Sequence, residues 1–414
     1  MIMAAGVAAF CGLGATASAQ QTIRPSETGA AAAEMRSDIT LPKNYNLKLG
    51  PVLVTAGASL ALEFNDNVNL AEYDRQADFI IRPGIQLDAF WQATPLNTLH
   101  LSLGFGYAFY TQNSSVDSNS ILIDPGTALS FDVYVGDFMR LNFHDRISIV
   151  QNPIDEPGIS NVARFDRLEN AVGVTALMDF NQLTFVLGYD HFNYNTINSS
   201  ELNILDHQEE QVLASASLRL SDAMVVGIDG NYGYVHYDQN YNNDGNSYSA
   251  APFVEMNLSH YTKLRITAGY QGMSFDNNGT SGDTQDASGF FGNITIAQRL
   301  NQYWTHSLTA GREFQLGLTT NYTEYTFARY AATWLMNSRV SVTFDTFVED
   351  ADDSGTAAQS SEHSFRVGAG AAVSYKLNSK LGMNLAYHYV NKQSDLILRS
   401  YYQDSVVLSL SYSF

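Results

Sequence analysis

Charged and imidazole side chains recur in this sequence at alternate positions of extended-looking segments. Arg82, Asp88, Asp132, Arg140, His144, Arg146 and Asp190 are in this set, followed by Arg219, Asp229, Glu255, Arg265, Asp345, Arg366 and His388. Mixed charges on neighbouring strands can brace a wide structure as ion-pair ladders. They can also set a transverse field across a water-filled passage. The two readings overlap. A second concentration, Asp155, Glu156, Arg164, Asp166 and Arg167, falls in Gln151–Glu169 beside Ile154, Ile159, Val162 and Phe165. A loop hanging in water has little use for such apolar residues, so the segment is expected to fold inward and pack on a wall. Its acids Asp155 and Glu156 are expected to face Arg146 and Arg219. The alternative is a rim loop packed on its neighbours.

Other chemistries find little support. There is no nucleophile elbow, no phosphate-binding glycine loop and no H-E-x-x-H. Gly368-Ala-Gly370-Ala-Ala-Val373 lacks the third glycine of a dinucleotide site and lies within a strand pattern. Asp276–Asp283 and Glu349–Gly355 alternate oxygen ligands with glycine. The first has Ser281 where the calcium-loop template wants glycine, and the second has Ser361 where it wants glutamate. Neither is expected to hold a metal. No catalytic residue and no cofactor is assigned, so the chain is not expected to be an enzyme.

The elements that position these residues are strands. Leu99, Leu101, Leu103, Phe105, Tyr107 and Phe109 alternate with His100, Ser102, Gly104, Gly106, Ala108 and Tyr110. Bulky apolar side chains take one face and small or polar ones the other, at period two. The pattern recurs through Val172–Phe180, Val212–Leu220, Leu264–Tyr270, Val340–Phe344, Phe365–Tyr375, Leu381–Tyr389 and Val406–Phe414. Short turns, as at Asn181-Gln182 and Asn337-Ser338, alternate with long polar connections. The long ones lie near residues 65–77, 111–122, 151–169, 193–210, 238–248, 276–287, 317–322, 349–362 and 391–400. Nine long loops imply nine hairpins and about eighteen antiparallel strands. The fold class is all-β: one closed transmembrane β-barrel over 51–414, with short periplasmic turns, long extracellular loops, and Leu101, Phe105, Val174, Leu385 and Leu408 facing lipid.

Composition agrees. Charged residues are 15% against about 25% in soluble domains, while Tyr and Phe number 24 and 23. No run after the N-terminus has the roughly 18 apolar residues that a spanning helix needs. A net charge of −20 opposes nucleic-acid binding. Residues 1–19, ending Ala17-Ser18-Ala19, read as a secretory signal with cleavage near Ala19, although no Lys or Arg precedes the apolar run. The single cysteine, Cys11, lies inside it. Residues 20–50 lack apolar periodicity and are expected to be a flexible periplasmic lead-in, too short for a folded plug domain. The alternating C-terminal strand ends in Phe414 and resembles the sorting signal by which the barrel-assembly machinery takes up outer-membrane proteins.

Val54–Leu70, VTAGASLALEFNDNVNL, runs from a small-residue strand into Phe64-Asn65-Asp66-Asn67-Val68. This resembles the first strand of the putative β-barrel porin 2 group, whose layout of hairpins would cover nearly all of 51–414. A barrel of about eighteen strands is wide enough for an aqueous channel, so passive diffusion of small hydrophilic solutes or ions across the outer membrane is the expected function. Some members of that group look like accessory barrels of exopolysaccharide export, which is the main alternative. A structural or adhesive surface barrel is the second. The position of Gln151–Glu169 resembles the constriction loop of general diffusion porins. Partners implied are outer-membrane lipid and lipopolysaccharide, small solutes, and a second copy of the chain as a homo-oligomer.

Overall fold

The computed structural model describes residues 24–37, 39, 41–42, 45–118, 120–197, 202–355 and 361–414; the segment read as a secretory signal, with Ala19 and Cys11, lies outside these. The described residues form eighteen main strands. They are Val52–Asn65 (β1), Asp78–Thr94 (β2), Asn97–Gly106 continued by Phe109–Tyr110 (β3), and Leu122–Ile123 continued by Ala128–Val135 (β4). Next come Met139–Val150 (β5), Arg167–Phe180 (β6), Leu183–Thr196 (β7), His207–Ser221 (β8) and Met224–Tyr237 (β9). Gly245–Ser259 (β10), Thr262–Phe275 (β11), Ala287–Arg299 (β12), Trp304–Leu316 (β13) and Tyr322–Leu335 (β14) follow. Val340–Asp353 (β15), His363–Lys376 (β16), Leu381–Ser394 (β17) and Tyr401–Ser413 (β18) complete the ring. Each strand pairs antiparallel with its neighbours in sequence, and β1 pairs β18 from Gly57↔Ser413 to Asn65↔Ser405, which closes the barrel. Closure leaves no sheet edge, the condition for placing strands in hydrocarbon.

The outer face is apolar. Leu62, Ile85, Leu187, Ile228, Ile266, Leu385 and Leu408 are exposed on it. Leu101 and Val174 share the face of exposed Phe105 and Val172. Tyr189, Tyr232, Tyr248, Tyr270, Tyr387 and Tyr402 lie toward the long-loop end, and Trp91, Phe138, Phe180, Tyr261, Tyr303, Trp334 and Phe414 at the short-turn end. Two aromatic girdles flanking an aliphatic band match a barrel spanning a bilayer. Such a barrel should migrate faster on gels unheated than boiled. A monomer soluble without detergent would contradict it.

Several details differ from the sequence reading. The twelve-residue pattern of β3 is interrupted at Tyr107-Ala108, opposite Pro83 of β2. Proline has no N–H to give the ladder, and only Tyr107 N donates, to Pro83 O at 3.2 Å. In β4 the residues between Ile123 and Ala128 bulge out of register. Asp124 lies over Gly104, where a Cβ would collide with its carboxyl. The strands also run further toward the long-loop end than their apolar patterns do. β15 continues through Asp353, β7 through Thr196 and β17 through Ser394, so the connections read as 349–362, 193–210 and 391–400 are shorter. Polar residues there escape the period-two test because both faces meet water.

The largest departure is the lead-in. Instead of a flexible segment, Pro25–Met35 forms an α-helix (α1). Pro25 at its first position and Glu27 in its first turn suit a helix start. Eleven residues alone would be marginal in water. What holds α1 is the inner wall. Thr28, Ala32 and Met35, one stripe at helical spacing, are buried, and Ala32 and Met35 pack with Val186 of β7, Leu213 of β8 and Leu177 of β6.

Candidate pore lining and constriction

Every named contact of α1 is with the half of the wall from β5 to β13. Asn231 of β9 donates to Arg24 O at 2.8 Å, and Ser26 Oγ donates to Glu313 of β13 at 3.2 Å. At the other end Arg140 of β5 donates to Met35 O at 3.1 Å and Ser37 O at 2.9 Å. A guanidinium there satisfies carbonyls that a helix end leaves open, and it complements the negative end of the helix dipole. Arg146 meets both carboxylate oxygens of Glu34, at 3.0 and 2.8 Å, and Arg36 meets Glu255 of β10 at 3.1 Å. Arg265 of β11 lies flat against Gly29, where a Cβ would come within 2.9 Å of its Nη2. That contact accounts for a glycine in mid-helix. Glu27 is partly buried and pushed up to about 7, chiefly by burial. Arg24 and Arg146 oppose this shift, and Glu313 and Asp190 reinforce it.

The other sequence-selected wall residues stand on the inner face, most of them in pairs. Arg82 meets Glu63 at 2.9 Å and Arg140 meets Asp132 at 2.8 Å. His144 and Asp190 are 2.6 Å apart, and Arg265 bridges Asp229 and Glu255. Arg366 meets Glu349 at 3.4 Å. Asp88 has His100 at 3.6 Å. Asp345 and His388 flank Gly370 in one row across β15, β16 and β17, and the Asp345 carboxyl occupies the space where a Gly370 Cβ would be. Arg219 stays exposed near the short-turn end of β8, beside a bulge.

The segment joining β5 and β6 crosses the lumen. A short 3-10 turn, Pro153–Asp155, carries Ile154, whose carbonyl accepts from Arg366 of β16 at 3.4 Å. β16 lies nearly opposite on the ring. Further along, Gly158 O accepts from Arg399 at 3.3 Å, Ser160 Oγ donates to Arg399 O at 3.0 Å, and Asn161 N donates to Leu70 O at 3.0 Å. Ile159 and Phe165 are buried with Phe192, Tyr194 and Leu205, and Val162 and Leu318 pack against that cluster. At the root, Arg167 is 2% exposed and faces three carboxylates: Glu169 at 2.8 Å, Glu156 at 3.6 Å and Asp155 at 4.0 Å. Arg164 holds Asp166 at 3.1 Å and donates to Asp117 O at 3.0 Å. Burial raises the pKa of both Asp155 and Glu156, with Arg167 the main opposing charge.

The expected partners of those acids were therefore wrong. Arg146 is engaged by Glu34, and Arg219 lies at the short-turn end. The cations facing Asp155 are Arg167, Arg366 and Arg82. Arg167, read as one more loop charge, organises the loop.

A second inward departure comes from β13. Its ladder with β12 ends at Gly292↔Arg312, and Phe314 instead exchanges two hydrogen bonds with the Gln271 side chain of β11, at 2.7 and 2.9 Å. This carries Leu318 over the lumen to meet Gly158. Asp283, from one calcium-like loop, accepts from Asn321 N at 2.9 Å and Ser354 Oγ at 2.6 Å, tying loops together. Asp350, Asp352 and His363 approach one another on the outer face of β15 and β16. Sequence reasoning missed α1, Glu63, Glu349, Lys392 and Glu362. The last pair meets at 2.6 Å with both side chains buried. Only α1 left a signal, the run Pro25-Ser-Glu-Thr-Gly-Ala-Ala-Ala-Ala-Glu34 of helix-forming residues behind a proline.

Solved structures share this architecture at low identity. Pseudomonas aeruginosa OccK2 (OpdF) is 11% identical with a TM-score of 0.50, covering 88% of this chain and 98% of that one. The same protein in complex with glucuronate is 10% identical, with a TM-score of 0.50 and coverage of 87% and 98%. A BenF-like porin from Pseudomonas fluorescens Pf-5 is 8% identical, with a TM-score of 0.50 and coverage of 87% and 99%. At such identities the likeness is one of fold. No curated protein matches the chain. A family model matches residues 46–414, from just before β1 to the last residue, and by that match the chain belongs to the family described as putative beta-barrel porin 2.

Proposed function

We propose that the protein is a channel of the bacterial outer membrane through which small hydrophilic solutes or ions diffuse passively. The observation that carries this reading is the eighteen-stranded closed barrel, apolar outside and charged within. Barrels of about 16–18 strands are too wide for wall side chains alone to fill and leave room for water. α1 and the β5–β6 loop narrow that space, so the conducting path is smaller than the bare barrel. Purified protein in planar bilayers should give stable conductance steps. Absence of steps, with loss of surface polysaccharide on gene deletion, would favour an accessory role in exopolysaccharide export. The lumen-filling α1 is the observation that gives this second reading weight. Neither result would point to a structural or adhesive barrel.

The wall residues singled out from sequence belong to this proposal as the pore lining, and Asp155, Glu156, Arg164, Asp166 and Arg167 as the constriction. Export through the secretory route, with cleavage near Ala19, fits an outer-membrane destination. So does docking of the assembly machinery on β18, where Phe414 N donates to Ala56 O at 3.1 Å and its ring is exposed. Sedimentation in detergent reads whether copies associate.

A further inference from the structure

The two halves of the inner wall differ in which charges are engaged. On the half that carries α1, Arg140 is taken by Asp132 and two helix-end carbonyls, Arg146 by Glu34, and Arg265 by Asp229 and Glu255. On the other half, from β14 round to β4, Arg82 is paired with Glu63, and Arg329 and Arg366 with Glu349. Three carboxylates of that second half have no guanidinium or ammonium partner among the described residues. Asp88 has His100, at 3.6 Å, and the Ser102 hydroxyl as partners, and half of its side chain is exposed. Asp124 lies over Gly104 with Gln86 as its hydrogen-bond partner. Asp345 shares its row with Gly370 and His388. Around them the wall is small or hydroxylated, as at Ser102 and Ser409.

Resting on the channel reading, we propose that the path is selective for cationic solutes: small metal cations and protonated amines. α1 confines them against Asp88, Asp124 and Asp345. Carboxylates facing confined water raise the local concentration of cations, and their field acts over about 10 Å at 0.1 M salt. A helix occupying the opposite half keeps a permeating ion within that reach. The glucuronate held by OccK2 belongs to that protein; Asp88, Asp124 and Asp345 here have the opposite sign to charges that would hold an anion.

The test is the reversal potential under a KCl gradient, for the whole protein and two variants. The full-length barrel should favour potassium over chloride several-fold. The triple variant Asp88→Asn, Asp124→Asn, Asp345→Asn should still conduct, with a smaller potassium current, while that ratio falls at least threefold toward one. Deleting 24–37 should raise the conductance and lower the ratio, because water then fills the half that α1 occupied. Heat-modifiable migration checks that each variant still forms a barrel. A conducting wild type without cation preference, or a ratio untouched by the triple substitution, overturns the inference and leaves the channel standing. Absence of conductance in all three proteins overturns the channel reading itself.

Discussion

Replacing Arg167 by methionine should release the β5–β6 segment from the lumen and enlarge the single-channel conductance while the barrel persists. Arg167 is buried to 2% exposure among Glu169, Glu156 and Asp155, and it also donates to Asn152 O at 3.2 Å. Breaking a buried ion pair by removing one partner costs about 3–5 kcal/mol, because the remaining charge stays in poor solvent. Here several carboxylates lose their shared cation at the root of one loop. Ionised acids would leave for water and draw Ile159 and Phe165 from their contacts with Phe192 and Leu205. The strands have no reason to follow, since the ladder of β5 with β6 ends at Val150↔Arg167 and does not run through the loop. Trypsin should then cut at Arg164 in reconstituted protein where the wild type resists. Deleting 154–164 should give the same gain in conductance. Unchanged currents and unchanged resistance to trypsin would make the segment a rim loop, whatever its contacts.

The architecture could be read from the sequence because a barrel imposes one rule on every strand. Lipid on one side forces the apolar period of two at Leu385-Ala-Tyr387 and Leu408-Ser-Leu410 alike, and the strand number follows from the loops. The wall parity of Arg82, Asp229, Arg265 and Arg366 was legible for the same reason. Pairing across the lumen was not. Which cation meets Asp155 depends on where a loop lands on the opposite wall, and no local spacing encodes that. α1 escaped because its buried stripe, Thr28, Ala32 and Met35, is small and packs in a lumen that asks for little hydrophobicity. Amphipathic periodicity, the usual sign of a docked helix, is weak when the partner surface is a polar wall.

That docked helix should respond to pH through Glu27. Its carboxyl has an ordinary value of 4.5 and is pushed up to about 7 when α1 is docked. The docked state therefore holds the proton more tightly than the free helix does. By linkage, this contribution to docking is fully present below about 4.5 and is lost as pH rises through 7. The swing is on the order of 3 kcal/mol at most, taking about 1.4 kcal/mol per pKa unit. Above pH 7 an ionised Glu27 sits in poor solvent, and the attraction of Arg24 and Arg146, reduced by Glu313 and Asp190, does not offset that burial. Mean conductance should therefore rise between pH 5 and pH 8 as α1 leaves the wall more often. His144, paired with Asp190 at 2.6 Å, lines the same lumen, so the change in slope on substituting Glu27 is the decisive reading. Glu27→Gln should flatten the profile and hold the conductance near its low-pH level across the range, because a neutral amide keeps the contact without the charge. If Glu27→Gln and the wild type give superimposable profiles, the helix is fixed in place and Glu27 does not control it.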